Sequence, residues 1–177
     1  MEQNDSPYFK NGILSKNTNK DEVLKLSEGC RWCKTCCAKT AGFILEEEIP
    51  RIASHLHITE SECKEKFLHE KKIFNKKIWQ PNLKGKPFGP CTFWKDEIGC
   101  TIHPVKQMHC RVGGHHIHAE ETVQWYFLNY LIDPDDPDAI REYASYLRHN
   151  KSIPGGLLSD LVPNNNRLQS ILNLTIR

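Results

Sequence analysis

Seven of the eight cysteines in this chain fall at spacings that suit metal–thiolate chemistry. Cys30, Cys33, Cys36 and Cys37 form one dense run, and Cys91, Cys100 and Cys110 follow it. Two thiolates separated by two residues can meet one metal ion, because a tight turn between them points both sulfurs inward. That spacing is used twice, from Cys30 to Cys33 and from Cys33 to Cys36. Arg31, Lys34 and Lys39 lie beside the run and offset the charge of several thiolates. Seven cysteines exceed one tetrahedral zinc site. They suit two zinc ions joined by a bridging thiolate, or one iron–sulfur cluster (4Fe-4S) with spare thiols. Cys36 and Cys37 are adjacent and fit awkwardly on one small ion, which tilts the choice toward the cluster. The competing readings are small buried hydrophobes and a disulfide framework. Cys63 stands apart from the run and reads as a structural residue on an amphipathic helix.

Other residues could add chemistry. His115, His116 and His118 follow Cys110 closely, and imidazole is a common ligand for zinc, iron and copper. No i, i+4 pair puts two of them on one helix face, so a polar loop is the preferred reading. His103 is expected to pack over the cysteine knuckle. Lys64, Lys66, Lys71, Lys72, Lys76, Lys77, Lys84 and Lys86, with Trp79 and Phe88 interleaved, form the one basic concentration. Such a stretch can contact RNA phosphates and stack on bases. Glu62, Glu65 and Glu70 are interspersed, so a solvated helix face is the preferred alternative. No phosphate loop, dinucleotide fingerprint or Ser-His-Asp order is present.

The elements that must position these groups are short. Asp21 to Glu28 reads as a helix ended by Gly29, and Gly42 to Leu45 as an apolar strand-like run. Glu46 to Leu56 is a helix, with its acidic residues in the first turn and Pro50 tolerated early. Thr59 and Glu62 form a capping box for a helix reaching toward Phe74. Trp79 to Gly89, with Pro81, Gly85, Pro87 and Gly89, is loop or irregular strand. Cys91–Trp94 and Cys100–Ile102 make a small hairpin that brings Cys91 and Cys100 together. Ala119 to Ile132 is helical. A further helix runs from Asp136, with Pro137 in its first position, to about Arg148, and Leu168 to Leu174 forms a last one. The expected fold is helix-rich α+β: a small irregular metal-stapled knuckle and a β-hairpin packed by amphipathic helices. Its parts are a flexible arm over residues 1–20, a cysteine-cluster domain over 21–118, and a C-terminal helical extension over 119–177.

The chain has 24 basic and 22 acidic residues, a formal charge of +2, and therefore no global field for nucleic acid or anionic membrane. Mean hydropathy is −0.58, and no window approaches the ~20 apolar residues of a spanning helix. Met1 to Ser15 lacks the apolar stretch of a secretory signal. A soluble cytoplasmic protein is expected, where thiols stay reduced and metal chemistry outranks disulfides.

Taken together, Cys30-x2-Cys33-x2-Cys36-Cys37, Pro90-Cys91-Thr92-Phe93, Cys100-Thr101-Ile102-His103-Pro104 and Cys110-Arg111 resemble the YkgJ-type cysteine-cluster (CxxCxxCC) family. The resemblance implies a zinc- or iron-chelating domain and gives the ligand role to Cys30, Cys33, Cys36, Cys37, Cys91, Cys100 and Cys110. Flagellin lysine methylases carry a similar cluster. Gln107 stands where the family commonly has proline, and a Gly- and His-rich segment replaces its aromatic, proline-rich continuation, so no particular substrate carries over. Three functions follow as expectations. The first is a metal-binding protein with a redox or metal-handling role, the metal ion or cluster being its partner. The second is an enzyme related to cluster-containing protein methylases. The third is a metal-stabilised module that binds RNA or a ribonucleoprotein; a protein partner is also open.

Overall fold

The computed structural model describes residues 14–27, 35–85 and 87–176. Cys30, Cys33, Gly29, Arg31, Lys34, Lys86 and the arm up to residue 13 lie outside the described residues. The fold is helix-rich α+β, with two small antiparallel hairpins among the helices.

The chain enters through α1 (Lys20–Leu26), where Asn19 and Glu22 form a reciprocal capping box. The described end of the leading segment is anchored, since Leu14 is buried and Trp125 Nε1 donates to the Thr18 carbonyl at 2.8 Å. The expected helix at residues 46–56 is a 3-10 turn (Glu46–Glu48) followed by α2 (Ile49–His55), with Pro50 in its first turn. Thr59 caps α3 (Glu60–Phe67), and both arms of the Thr59–Glu62 box are made.

The helix does not continue to Phe74. Leu68 is extended, and Leu68–Ile73 is strand β1, paired antiparallel with β2 (Lys76–Pro81). From Leu68 to Phe74 no two apolar residues lie three or four apart to bury a helical face. Phe74 and Asn75 take positive φ of 48° and 58°, the two-residue geometry whose twist matches a hairpin. The turn docks on the C-terminal helices: Phe74 is buried against Phe127 and Tyr143, and Asn75 N–H donates to Glu142. The lysine-rich stretch is therefore largely a hairpin and not a helix face. Most of its lysines are engaged within the fold. Lys64 pairs with Glu46, Lys66 with Glu62 and Lys77 with Glu70, while Lys76 and Lys84 donate to the Tyr130 and Trp94 carbonyls.

The second hairpin forms about the expected turn but is shorter than expected, as β3 (Trp94–Lys95) and β4 (Gly99–Cys100), and Cys91 lies ahead of it in an isolated bridge with Leu83. A 3-10 turn (His103–Val105) leads into α4 (Met108–Val112). Next, α5 (Ala119–Tyr126) widens into a π-helical segment, Phe127–Leu131. Asp136 caps α6 (Pro137–Leu147), and α7 (Leu158–Leu161) and α8 (Asn165–Leu172) close the described chain. Apolar side chains gather in two clusters. The larger joins the C-terminal helices to α1, α4 and the tip of β1–β2. The smaller holds α2, α3 and the β3–β4 hairpin, and Cys63 is fully buried within it, as its isolated position suggested.

Candidate metal centre

Five thiols face one cavity at the seam of these two clusters. Cys36, Cys37, Cys91, Cys100 and Cys110 line a space of about 280 Å³ together with His109. Local structure brings them there from three directions. The Cys37 carbonyl accepts from Cys91 N–H at 2.9 Å, which ties the described end of the knuckle to the hairpin. Cys100 sits on β4 opposite Trp94, and Cys91, bridged to Leu83 just ahead of β3, reaches the same space. Cys110 comes from α4, whose first N–H, on Met108, donates to buried Glu48 at 2.7 Å.

Backbone N–H groups point at several of the sulfurs. Gly42 N–H serves Cys110, Phe93 N–H serves Cys91, and the Cys36 and Cys37 amides serve Cys36. Such donors favour the thiolate, the form that binds metal. Burial acts in the opposite direction, raising the Cys91 thiol to about 11 and the Cys110 thiol to about 12. Adjacent Cys36 and Cys37 hydrogen-bond side chain to side chain. That contact holds Cys36 down to about 5 and pushes the Cys37 thiol up. Lys106 adds positive charge that favours the Cys36 and Cys110 thiolates. A metal ion entering this space would displace the remaining thiol protons.

Among the described residues, no three His, Cys, Asp or Glu side chains are gathered to grip a metal ion. The five described thiols line one cavity. Cys30 and Cys33 lie outside the described residues, so their place relative to the other five is not part of this geometry.

His109 was not singled out by the sequence. Its Nδ1 accepts from Phe43 N–H at 3.0 Å, its ring stacks on Phe43 at 4.7 Å, and it packs on Tyr126 at 5.1 Å. Burial holds its pKa down near 4, so the imidazole is neutral. Its position directly before Cys110 was the available signal. Two groups from β1–β2 also border the cavity: Lys71, whose ammonium lies 5.5 Å from the Phe43 ring centre, and Gln80. The histidine group just after α4 lies elsewhere. His116 Nε2 bonds the Val112 carbonyl at 2.8 Å and Nδ1 accepts from His118 N–H, while none of His115, His116 and His118 lines the thiol cavity. His103 lines a neighbouring cleft with Lys106.

A family model described as "CxxCxxCC: putative zinc- or iron-chelating domain" matches residues 29–128, more than half of the chain. The chain belongs to the CxxCxxCC family. The match spans all seven cysteines of the set, together with His109, and ends within the π-helical segment. As a CxxCxxCC protein it is a metal-binding protein, with zinc or iron as the metals its family is described as chelating. No curated protein and no solved structure matches the chain. Among the described residues no helix is long and apolar enough to cross a membrane.

Proposed function

We propose that this protein holds an iron–sulfur cluster of the 4Fe-4S type, with a redox or metal-handling role. The observation that carries this reading is the gathering of five thiols, Cys36, Cys37, Cys91, Cys100 and Cys110, on one cavity of about 280 Å³. That volume is several times the ~30 Å³ share of one water. A single tetrahedral zinc takes four ligands, fewer than the five thiols on this cavity. A cluster accepts thiolates spread over its corners.

Cys91, Cys100 and Cys110 are the firmest of the described ligands, with Cys30 and Cys33 added on spacing and family pattern. Cys36 and Cys37 divide their roles. The hydrogen bond between them leaves one poised as thiolate and the other as its donor, a ligand beside a spare thiol. A bound cluster supplies one-electron chemistry. The chain supplies N–H donors to sulfur, the positive charge of Lys106, and a neutral His109 packed among aromatic rings, all of which tune such a centre.

The test is anaerobic purification followed by analysis of iron, acid-labile sulfide and zinc, with an absorption spectrum. The expected protein is brown, with about four irons per chain and broad absorption near ~400 nm. A colourless protein carrying one or two zinc ions would overturn the cluster while leaving metal binding intact.

A further inference from the structure

The helix that carries Cys110 is too short to hold itself. Its five residues, Met108 to Val112, make little more than one turn, and so short a helix does not persist in water unaided. Its own N-cap residue, Gln107, makes no side-chain cap. The cap comes instead from a residue 60 positions away in the sequence. Glu48 Oε1 accepts the Met108 N–H at 2.7 Å, while Oε2 accepts the Leu45 N–H at 3.0 Å. One carboxylate thus serves the start of the 3-10 turn and the start of α4 together.

Arg51, three residues on, grips the same stretch of chain. Its guanidinium donates to the Lys106 carbonyl at 3.3 Å and lies 3.5 Å from Glu48 Oε1. The backbone is therefore held at a carbonyl and at an amide, one on each side of buried Gln107. His109 and Cys110 follow directly, and both line the thiol cavity. Glu48 is also the one buried carboxylate among the described residues. Taking a carboxylate out of water is unfavourable unless its oxygens are bonded, and both of these are.

We propose that Glu48, braced by Arg51, is a positioning residue of the metal centre, fixing through α4 where the Cys110 sulfur meets the metal. Glu48 acts through Cys110 and is no ligand itself, since each of its oxygens is committed to a backbone amide. The inference rests on Cys110 as a ligand and holds for zinc and for a cluster alike. The charge is needed for a geometric reason. An ionised carboxylate accepts on both oxygens, whereas the amide of glutamine offers one acceptor and one donor. Glu48→Gln therefore keeps the volume but must release one of the two amides.

The test compares full-length, metal-loaded proteins, as purified, in competition with a chelator and in alkylation by iodoacetamide. Glu48→Gln should weaken metal retention about tenfold or more, the range typical for loss of a supporting group behind a metal ligand. Glu47→Gln, at the exposed neighbour, should stay within about twofold of wild type. Alkylation, read by mass spectrometry on separate peptides, tells positioning from general damage. Cys110 should label about fivefold faster or more in Glu48→Gln, as a local opening predicts. Cys63, buried in the smaller apolar cluster, should label at the wild-type rate. Metal retention within about twofold of wild type overturns the proposal, as does Cys110 labelling that rises no more than Cys63 labelling. Full metal content in Cys110→Ser would overturn it at its premise, a failure told apart because it is read in a different variant. If circular dichroism shows Glu48→Gln to be poorly folded, Arg51→Ala takes its place under the same criteria. That variant loosens the stretch at the Lys106 carbonyl and leaves both Glu48 hydrogen bonds intact.

Discussion

The sulfur of Cys110 occupies the space that a side chain on residue 42 would need. A Cβ built on Gly42 would lie 2.5 Å from Cys110 Sγ and 2.8 Å from His109 Nδ1. Neither neighbour can move freely, since His109 is stacked on Phe43 and its Nδ1 accepts from the Phe43 amide. The closeness also lets Gly42 N–H reach the Cys110 sulfur. Gly42→Ala is therefore expected to displace α4 from the cavity. Overpacking of this kind costs about 1–3 kcal/mol. Metal bound per chain should fall by about half or more, measured by elemental analysis beside a thermal melt. Wild-type metal content in this variant would show that α4 is free to shift without affecting the centre.

Cysteines that face the cavity should part from the one that does not. Cys91→Ser, Cys100→Ser and Cys110→Ser are each expected to lower metal content at least twofold, because a hydroxyl is a poor substitute for thiolate on zinc or iron. Cys63→Ala should retain full metal content and lose about 1–2 kcal/mol of stability, the cost of a small void in the apolar cluster around it. Metal loss in Cys63→Ala that exceeds its loss of folded protein would contradict this division.

His109 tests whether the aromatic support behind Cys110 matters to the metal. His109→Leu keeps most of the volume but leaves Phe43 N–H without its acceptor. Loss of supporting contacts around metal sites typically lowers affinity ~10–100-fold. The expected result is a drop in that range in competition with a chelator, with secondary structure by circular dichroism unchanged. An affinity within twofold of wild type would reduce His109 to a packing residue.

Local rules made some elements readable and hid others. In the Thr59–Glu62 box, and again at the Asp136 cap of α6, the bonded partners are only two or three residues apart, so the sequence displays these hydrogen bonds directly. The β3–β4 hairpin was legible from its turn. The β1–β2 hairpin was hidden, because His69 to Lys72 is wholly exposed and shows no alternation, and because its turn is Phe74-Asn75 in place of a glycine pair. What holds that turn is long-range, through α6. The thiol cavity was half legible: spacing picked out its cysteines, but the approach of Gly42 to Cys110 and the burial of His109 arise only when α4 packs across the chain.

The hairpin tip can be probed by a pair of substitutions at Asn75. Its φ of 58° suits glycine, and its side chain donates to Asp136, the cap of α6. Asn75→Gly removes the hydrogen bond while keeping the backbone relaxed, and should cost about 0.5–1.5 kcal/mol. Asn75→Ala adds left-handed strain of about 1 kcal/mol. Chemical denaturation should thus rank wild type above Asn75→Gly and Asn75→Gly above Asn75→Ala. Equal stability of the two variants would show that backbone strain at the tip is relieved by movement.

Glu46 links the start of α2 to the hairpin and gives a pH signature of defined sign. Its carboxylate takes hydrogen bonds from Lys64 and from Trp79 Nε1, the latter at 2.6 Å, and these hold its pKa below the usual carboxylate range. A carboxyl depressed in the folded state contributes stability above its unfolded pKa of ~4.3 and loses it as pH falls through the folded value. The group is largely exposed, so the contribution after screening is about 0.2–1 kcal/mol. Glu46→Gln should therefore melt below wild type at pH 7, and the gap should close as pH falls below ~4. Taking the difference between the two proteins at each pH removes any acid release of metal common to both. A gap that is constant from pH 7 to pH 3 would mean that Glu46 acts there through shape and neutral hydrogen bonding, with its charge contributing nothing.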